Sequence, residues 1–382
     1  MNNILIPFAN AIDPTSGGVE RVYHNLVPSL RKMGCNVYAT YHIKSQYDTS
    51  SVYNAIYYLG DGEKCDKKIK KQWLQIIKQR NINIIICPFS NHKYYDFFSK
   101  LKQLKVFFHI HNVPSVYHYP SVSAIPNCLK NTIIDHLLKR LRFVVRYKKS
   151  FDRIKRNGMK VILLSERFRM DINSFCSLGD DNLKAIPNPI IFDENFDLKA
   201  NHKDKTILYV GRVTTRQKRF QSLLNIWKKL QYLLPEYNLE IVGGGPEKDY
   251  YVNKAKEMNL SRITFHGFQS PEQYYKKAQV FCMVSNYEGF GMVLVEAMQY
   301  GCVPFAFDSF AALPDIIDDG INGYRIPPFN EEIYVQIIVD FIKKTREEKE
   351  KICNASMSKA KLFSVENIAK EWIMLFDNYK LA

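Results

Sequence analysis

The sequence predicts an α/β protein with two doubly wound domains, each built on a parallel sheet that is covered by helices. Short runs rich in β-branched residues alternate with longer amphipathic stretches, which is typical of parallel sheets. This alternation occurs in the first half of the chain and again in the second half. Between the halves, Pro187 and Pro189 prevent regular strand pairing, and the polar residues 193–205 that follow are typical of a linker. A chain of 382 residues is long enough for two domains of ordinary size.

The first predicted domain covers residues 1–190 and the second covers residues 191–363; residues 364–382 are predicted to form a C-terminal helix. Strands of the first domain are predicted at residues 4–8, 37–41, 84–87, 106–110 and 161–164, and its clearest helices at residues 19–33 and 67–80. In the second domain, strands are predicted at residues 206–210, 239–242, 263–266, 280–284 and 303–307, and helices at residues 221–233, 246–258, 271–277 and 292–300. Ligands of such sheets bind beyond the carboxyl ends of the strands, so functional residues are expected in the loops there.

Cysteine spacing and hydropathy exclude several classes of protein. The eight cysteines lack the two-residue spacing of a zinc or redox motif, which indicates reduced thiols. No apolar run approaches the roughly 20 residues of a membrane span. Residues 1–8 are too short for a signal peptide and are better explained as a buried strand. We therefore expect a cytoplasmic protein that is neither exported nor integral to a membrane.

The net charge of +16 belongs entirely to the first predicted domain. Residues 1–190 carry 29 Lys and Arg against 13 Asp and Glu, whereas residues 191–382 carry 25 of each kind. Within residues 139–160, ten basic residues accompany Asp152 alone. Such a segment suits an anionic membrane surface, here the inner face of the cell membrane, and equally suits a solvated helix face. Nucleic acid is disfavoured as a partner, because no nucleic-acid-binding module accompanies the charge.

The most informative segment holds two carboxylates, Glu288 and Glu296, on either side of a glycine-containing turn. The turn follows a predicted buried strand and precedes the predicted helix at residues 292–300. Glu288 is therefore expected at the carboxyl edge of the strand, and Glu296 within the helix beside small and apolar neighbours. A carboxylate in such surroundings needs a partner.

The start of this helix is a predicted anion site. Near Gly291 and Met292 the first helical N–H groups are free, and with the helix dipole they suit a phosphate. The two carboxylates accept hydrogen bonds, as from the hydroxyl pairs of a ribose and a hexose. The alternative is a capping Glu288 and a Glu296 that is salt-bridged to a neighbour.

Two basic residues, Arg212 and Lys218, follow the predicted strand at residues 206–210. Fixed cations beside a departing diphosphate stabilise the transition state more than the ground state. Arg216 and Arg219 compete with Lys218 for this role, and an exposed basic loop is the alternative interpretation.

Glycine-rich turns follow several other predicted strands. Gly17 and Gly18 precede the first helix, where they would let a ligand approach the backbone. Gly244 lies in a second turn, and Gly267 with Phe268 lies in a third.

One histidine, His111, follows the predicted strand at residues 106–110 and is a functional candidate. Alternation along the strand leads us to expect that His109 points to the opposite face.

Together these motifs resemble those of the retaining nucleotide-sugar glycosyltransferases of the GT-B fold, family 4, also called glycosyl transferases group 1. The resemblance rests on the order and spacing of motifs along most of the chain. These motifs are Gly17-Gly18-Val19-Glu20-Arg21, His111, Gly211-Arg212 with Lys218, Gly243-Gly244-Gly245-Pro246, His266-Gly267, Glu288 to Ala297 and Asp319-Gly320-Ile321-Asn322-Gly323. It implies two Rossmann-like domains facing across a cleft, with the C-terminal helix returning to pack on the first domain.

The resemblance also implies the roles of individual residues. The implied catalytic residues are Glu288, His111, Arg212 and Lys218. The implied donor-binding residues are Gly17, Gly18, Arg212, Lys218, Gly244, Gly267, Phe268, Glu288, Gly289, Phe290, Gly291, Met292 and Glu296. Among them, Glu288 would hold the sugar hydroxyls, Glu296 the ribose, and the two cations the diphosphate.

The implied reaction moves a hexose from a nucleotide-diphosphate donor, with a UDP-hexose favoured, to a hydroxyl of a glycan or a polyprenyl- or other lipid-linked acceptor. The implied process is surface polysaccharide biosynthesis, of lipopolysaccharide or capsule, and the acceptor is expected to contact loops such as residues 114–127. No metal ion or other cofactor is expected, because no Asp-x-Asp follows a strand and the Arg212 and Lys218 cations can neutralise the diphosphate.

Three other interpretations are weaker. A catalytically silent GT-B partner subunit that binds a nucleotide sugar or a glycan is the main alternative. A glycosidase also uses two carboxylates, but it does not need Arg212 and Lys218 at a phosphate. A dehydrogenase is rejected, because the first strand is not followed by G-x-G-x-x-G.

Overall fold

The structure is a computed structural model that describes residues 1–15, 17–60, 65–88, 91–114, 141, 147–174, 176–198 and 203–379. The chain divides into two compact units. Unit 1 consists of Met1–Pro189 and Val365–Ala382, and unit 2 consists of Ile190–Ser364. Strands and helices are numbered below along the described residues.

Unit 1 contains a seven-stranded sheet in which every pair of neighbouring strands is parallel. Its strands are β1 (Asn3–Pro7), β2 (Asn36–Tyr41), β3 (Ala55–Tyr58), β4 (Ile84–Cys87), β5 (Lys105–His109), β6 (Lys160–Leu163) and β7 (Leu183–Ala185), in the spatial order β3-β2-β1-β4-β5-β6-β7. The five predicted strands are confirmed. The two edge strands, β3 and β7, were not predicted; β7 is only three residues long and contains Lys184, and all four residues of β3 are only partly buried.

The helices of unit 1 include both that the sequence predicts. They are α1 (Gly18–Lys32), α2 (Lys67–Gln79), α3 (His92–Phe98), α4 (Lys149–Arg156), α5 (Phe168–Asn173) and the C-terminal α13 (Val365–Asn378). The expected return of the last helix is confirmed, since α13 packs against α1 and buries Trp372 completely. The indole of Trp372 meets the ring of Phe107 edge to face, with centroids 6.1 Å apart. This contact joins α13 to the sheet of unit 1.

Unit 2 contains a six-stranded sheet that is also parallel throughout. Its strands are β8 (Asp204–Val210), β9 (Asn238–Val242), β10 (Ile263–Gly267), β11 (Ala278–Met283), β12 (Val303–Phe307) and β13 (Tyr324–Ile326), in the order β10-β9-β8-β11-β12-β13. Its helices are α6 (Phe220–Leu233), α7 (Lys248–Glu257), α8 (Glu272–Lys277), α9 (Met292–Met298), α10 (Leu313–Ile316), α11 (Glu331–Lys343) and α12 (Arg346–Lys361). The five predicted strands and four predicted helices are confirmed, and the edge strand β13 was not predicted.

The predicted linker, residues 193–205, is too long. Strand β8 begins at Asp204, so Asp204 and Lys205 belong to the sheet, where Asp204 is paired with Ala278 of β11. Their charge suggested a loop, but both side chains are exposed at the beginning of the strand, where charge costs little.

The order of the strands in unit 2 reverses between β8 and β11. Strand β9 lies on one side of β8, whereas β11, three strands later in the chain, lies on the other side. A reversal of this kind opens a crevice between the loops that leave the two strands, and ligands of doubly wound sheets bind there. A ligand site in unit 2 is therefore expected between the loops that follow β8 and β11.

Candidate functional site

At the reversal point the structure brings together two of the predicted site residues. Lys218 lies in the loop after β8, and Glu288 lies in the loop after β11. The Lys218 Nζ donates a hydrogen bond to the Glu288 Oε1 at 2.6 Å, and the two side chains are only 16% and 10% exposed. An ion pair so well shielded is costly to break, because either charge alone would lie largely buried without its partner. The sequence placed Glu288 at the edge of the strand; β11 ends earlier, at Met283, so the residue belongs to the loop.

The other predicted cation, Arg212, lies on the same loop as Lys218. Its backbone carbonyl accepts a hydrogen bond from the Tyr209 hydroxyl at 2.9 Å. Burial raises the pKa of Tyr209, and the nearby charge of Glu288 acts in the same direction. The hydroxyl therefore stays protonated and remains a donor that fixes the beginning of the loop.

A glycine-rich turn after β9 packs directly on this loop. The Val213 N–H donates to the Gly244 carbonyl at 2.7 Å, and the Gly243 N–H donates to the Gly267 carbonyl at 2.7 Å. A Cβ at Gly243 would lie 2.0 Å from the carbonyl oxygen of Gly211, so no other residue fits there. These contacts join the turns after β8, β9 and β10 into one surface.

Gly244 and Phe268 are less tightly packed than Gly243. A Cβ at Gly244 would meet only the Phe268 Cβ, at 3.9 Å, which is an ordinary contact. The Phe268 side chain is 83% exposed, which is unusual for a phenyl ring. Both residues are thus accessible, and their role in donor binding stays a prediction.

The segment after Glu288 turns sharply into helix α9. Gly291 is the N-cap in a left-handed conformation with φ 89°, which favours glycine. Phe290 lies between Glu288 and Gly291 and is buried. Its ring packs edge to face on the ring of Phe363, with centroids 5.4 Å apart. Helix α9 ends at Met298, two residues before the predicted end, and it has seven residues.

Glu296 lies inside α9, as predicted, and is partly buried. Its Oε2 accepts a hydrogen bond from the Tyr275 hydroxyl at 3.1 Å. Tyr275 is itself buried, at the end of α8. The partners of this partly buried carboxylate therefore include a tyrosine that no sequence motif indicated.

The Asp319 to Gly323 motif forms a structural turn. The Asn322 side chain is buried and its Oδ1 accepts a hydrogen bond from the Asp318 N–H at 2.9 Å. A Cβ at Gly323 would lie 2.6 Å from the Pro304 ring. Internal packing accounts for these residues.

In unit 1, Gly17 is the N-cap of α1 and Gly18 is its first residue, one position before the predicted start. A Cβ at Gly17 would lie 2.5 Å from the Glu20 Oε2, so the Glu20 carboxyl already fills the space beside Gly17. At Gly18 no heavy atom among those the structure describes comes within 4 Å of that position. A ligand could therefore approach the backbone more closely at Gly18 than at Gly17. Burial raises the pKa of Glu20.

The expectation for His109 is wrong. The rings of His109 and His111 lie on the same side, 3.9 Å apart, because residues two apart in an extended chain share a face. Both contact the buried Tyr23 hydroxyl, His109 Nδ1 at 2.7 Å and His111 Nε2 at 3.4 Å. Burial lowers the pKa of His111 to about 3, although its contact with Asn188 acts in the opposite direction. His111 is therefore neutral near pH 7.

The basic segment at residues 139–160 lies partly outside the described residues, as do residues 115–127 of the predicted acceptor loop. Within helix α4, Phe151 and Ile154 are buried against unit 1. Arg153 forms a salt bridge with Asp96 at 2.7 Å, and the Lys155 ammonium donates to the Ser177 carbonyl at 2.6 Å. Arg153 and Lys155 thus bind other groups of unit 1.

None of the helices in the described ranges is long and apolar enough to cross a membrane. Over the same ranges, no three His, Cys, Asp or Glu side chains are grouped so that they could hold a metal ion.

Two doubly wound parallel sheets in one chain define the GT-B class of fold. A solved structure of HepE from Anabaena in complex with UDP aligns with 99% of this chain and all of its own, with a TM-score of 0.74 at 15% sequence identity. At that identity the likeness establishes the fold.

Residues 191–358, nearly all of unit 2, match the model of the family described as glycosyl transferases group 1. The match lies within unit 2. The chain is 29% identical over 218 residues to the amylovoran biosynthesis glycosyltransferase AmsD of Erwinia amylovora, which covers 56% of this chain and 60% of that protein. It is 25% identical over 173 residues to the lipopolysaccharide 1,6-galactosyltransferase of Escherichia coli K12, which covers 43% of this chain and 47% of that protein. The chain thus spans about half to three fifths of the length of these curated relatives.

Proposed function

We propose that this chain is a retaining hexosyltransferase that uses a nucleotide-diphosphate sugar, with UDP-hexose as the donor class. The proposed acceptor is a hydroxyl of a glycan or of a lipid-linked glycan in surface polysaccharide assembly. The observation that carries the proposal is the shielded Lys218–Glu288 pair at the reversal point of unit 2, with Arg212 on the same loop. It is supported by the family match of unit 2, by the glycosyltransferase activities named for the two relatives, and by the UDP bound in the related solved structure.

The charges of the pair suit the two halves of a nucleotide sugar. Lys218 and Arg212 supply positive charge for a diphosphate whose negative charge grows as it leaves. Glu288 accepts hydrogen bonds from sugar hydroxyls, and Glu296 does so from the ribose. We assign no metal ion to this step, because two fixed cations perform the same neutralisation.

The proposed chemistry is attack from the face that the diphosphate leaves. The bond between the anomeric carbon and the diphosphate oxygen breaks, and the acceptor oxygen bonds to the same carbon on the same face. The acceptor proton passes to an oxygen of the departing diphosphate, so charge and atoms balance. We propose that His111, which is neutral near pH 7, supports the donor sugar, and that Gly17 and Gly18 contribute backbone to donor binding.

The direct test measures UDP release from a panel of UDP-hexoses with and without glycan acceptors, followed by mass determination of the product. Glu288→Ala should abolish transfer, because the variant loses the sugar contact and leaves Lys218 without its partner. The matched control is Glu236→Ala, which removes an equal side chain that is 68% exposed. Unchanged transfer by Glu288→Ala would refute the site assignment. Tight UDP binding without any turnover would favour the silent partner subunit.

Metal independence has its own test. Transfer should persist after exhaustive treatment with EDTA and should not rise when Mg²⁺ or Mn²⁺ is restored. Loss of activity in EDTA with recovery in Mn²⁺ would contradict the role given to Arg212 and Lys218.

We further propose that the basic segment around α4 holds the protein peripherally on the cytoplasmic face of the membrane. On this helix Lys149 and Arg156 are exposed, while Phe151 and Ile154 are buried. Each Lys or Arg near an anionic surface contributes about 1 kcal/mol, and salt screens the attraction. The protein should float with anionic liposomes at low salt and detach at high salt. If it stays unbound at both salt concentrations, the charge is only a solvated surface.

A further inference from the structure

The loop that carries Lys218 is attached to the loop that carries Glu288 by a residue with no assigned role. The Asn286 backbone N–H donates to the Gln217 carbonyl at 2.8 Å. The Asn286 Nδ2 donates to the Arg216 carbonyl at 2.6 Å. One residue thus fixes two successive carbonyls immediately before Lys218.

We propose that Asn286 is a positioning residue that holds Lys218 in place for the donor diphosphate; this inference rests on the function proposed above. Both of these hydrogen bonds from Asn286 end on backbone carbonyls that precede Lys218. Its effect on the diphosphate therefore passes through the lysine.

The chemistry at position 286 fits this role. A carbonyl oxygen only accepts hydrogen bonds, so the side chain facing Arg216 must present a donor, and the asparagine amide supplies one. Asn286 is two residues before Glu288, and Met283, the last residue of β11, and Val284 just after the strand are both buried. The amide is therefore anchored to the sheet, and it can transmit that rigidity to the neighbouring loop.

The ammonium group of a lysine needs such support to stay in one position. Its four-carbon chain has many rotamers, so a fixed position of the ammonium group requires both a fixed backbone and a partner at its tip. Glu288 supplies the partner, and Asn286 fixes the backbone. The first part of the loop is held separately, because the Thr215 N–H donates to the Glu247 carboxylate at 3.0 Å.

The experiment compares Asn286→Ala and Asn286→Leu with the control Asn225→Ala. Both test variants keep the backbone hydrogen bond to Gln217 and lose the one to Arg216, and the leucine also keeps the volume of the side chain. The Asn225 side chain accepts a hydrogen bond from Gln221 at 2.9 Å and donates one to Glu331 at 3.4 Å, but it lies within helix α6. Thermal denaturation of each variant shows whether the fold is kept.

The first readout is UDP affinity by calorimetry, in the natural chain and in a Lys218→Ala background. Loss of one hydrogen bond should weaken UDP binding by about fivefold in the natural chain. In the Lys218→Ala background the same substitution should change the affinity by less than about twofold, because the residue through which it acts is gone. An equal loss in both backgrounds, or none in the natural chain, would overturn the proposal.

The second readout does not depend on a nucleotide. The rate at which acetic anhydride modifies the Lys218 amine, followed by mass spectrometry, should rise several-fold in Asn286→Ala and Asn286→Leu and stay constant in Asn225→Ala. An unchanged rate would overturn the positioning role even where UDP binds. If the natural chain fails to bind UDP, the proposed function fails, whereas a raised labelling rate still supports the hold of Asn286 on Lys218.

Discussion

Replacing Gly243 by alanine should destabilise unit 2, whereas the same change at Gly244 should leave its stability intact. The Cβ of an alanine at position 243 would lie 2.0 Å from the Gly211 carbonyl oxygen and 2.9 Å from its carbonyl carbon. These are backbone atoms of the neighbouring turn, which cannot rotate away as a side chain can. At Gly244 the nearest atom is 3.9 Å away.

The magnitude follows from two terms. Gly243 has φ 134°, a region that residues with a Cβ avoid at a cost of about 1–2 kcal/mol. Forcing two packed turns apart by roughly 1 Å adds about 1–3 kcal/mol, as for other overpacked sites. The sum is about 2–5 kcal/mol, which for a domain of this size corresponds to a fall in Tm of about 10 °C.

Differential scanning calorimetry of the two variants and the natural chain provides the measurement, with UDP titration on the same samples. Gly244→Ala should melt within about 2 °C of the natural chain. Its affinity for UDP should fall if the nucleotide approaches the backbone there, as proposed. A Gly243→Ala variant that melts within about 2 °C of the natural chain would refute the packing argument.

Three further predictions concern the stability of the two units. Trp372→Ala should cost about 3–5 kcal/mol of unit 1 stability, because it empties a fully buried site against Phe107, and a loss under 1 kcal/mol in urea denaturation would contradict this. Asn322→Ala should cost about 1–3 kcal/mol in unit 2, because it leaves the Asp318 N–H without its acceptor; calorimetry that shows no change would exclude the structural role of the turn. Burial lowers the pKa of His111 from 6.5 to about 3. Below pH 6.5 the unfolded chain therefore binds a proton at this residue that the folded chain does not bind. The free energy of unfolding should then fall by up to about 1.4 kcal/mol for each unit by which the pH is lowered. In urea titrations at pH 7 and pH 5, His111→Gln should lose less stability than the natural chain, and an equal loss in both would show that other groups carry the pH dependence.

The strands that the sequence missed share a position in the fold. β3 and β7 are the two edges of the first sheet, and β13 is an edge of the second. An edge strand has a partner on one side only and is less enclosed, and β7 and β13 are three-residue strands that each contain a basic residue. The interior strands of both sheets were all predicted.

The candidate site was predictable only in part. The spacing of Glu288 and Lys218 within known motifs selected both residues, but nothing in the sequence indicated that they pair. The tyrosine beside Arg212, Tyr209, and the positioning residue Asn286 carried no signal, because their importance comes from contacts between loops. The error at His109 was one of geometry, since alternation places it on the same side as His111.

The sequence by itself determined which residues form the interior strands, to within two residues at their ends, and which loops hold charged or glycine residues. These features depend on the local alternation of apolar and polar residues, which can be read along the chain. The tertiary structure alone decided that the loop after β8 lies beside the loop after β11, with Lys218 and Glu288 in contact. The physical reason is that hydrogen bonding in the sheet makes neighbours of strands that are far apart in the chain, and the order of those strands is set by the packing of the whole unit.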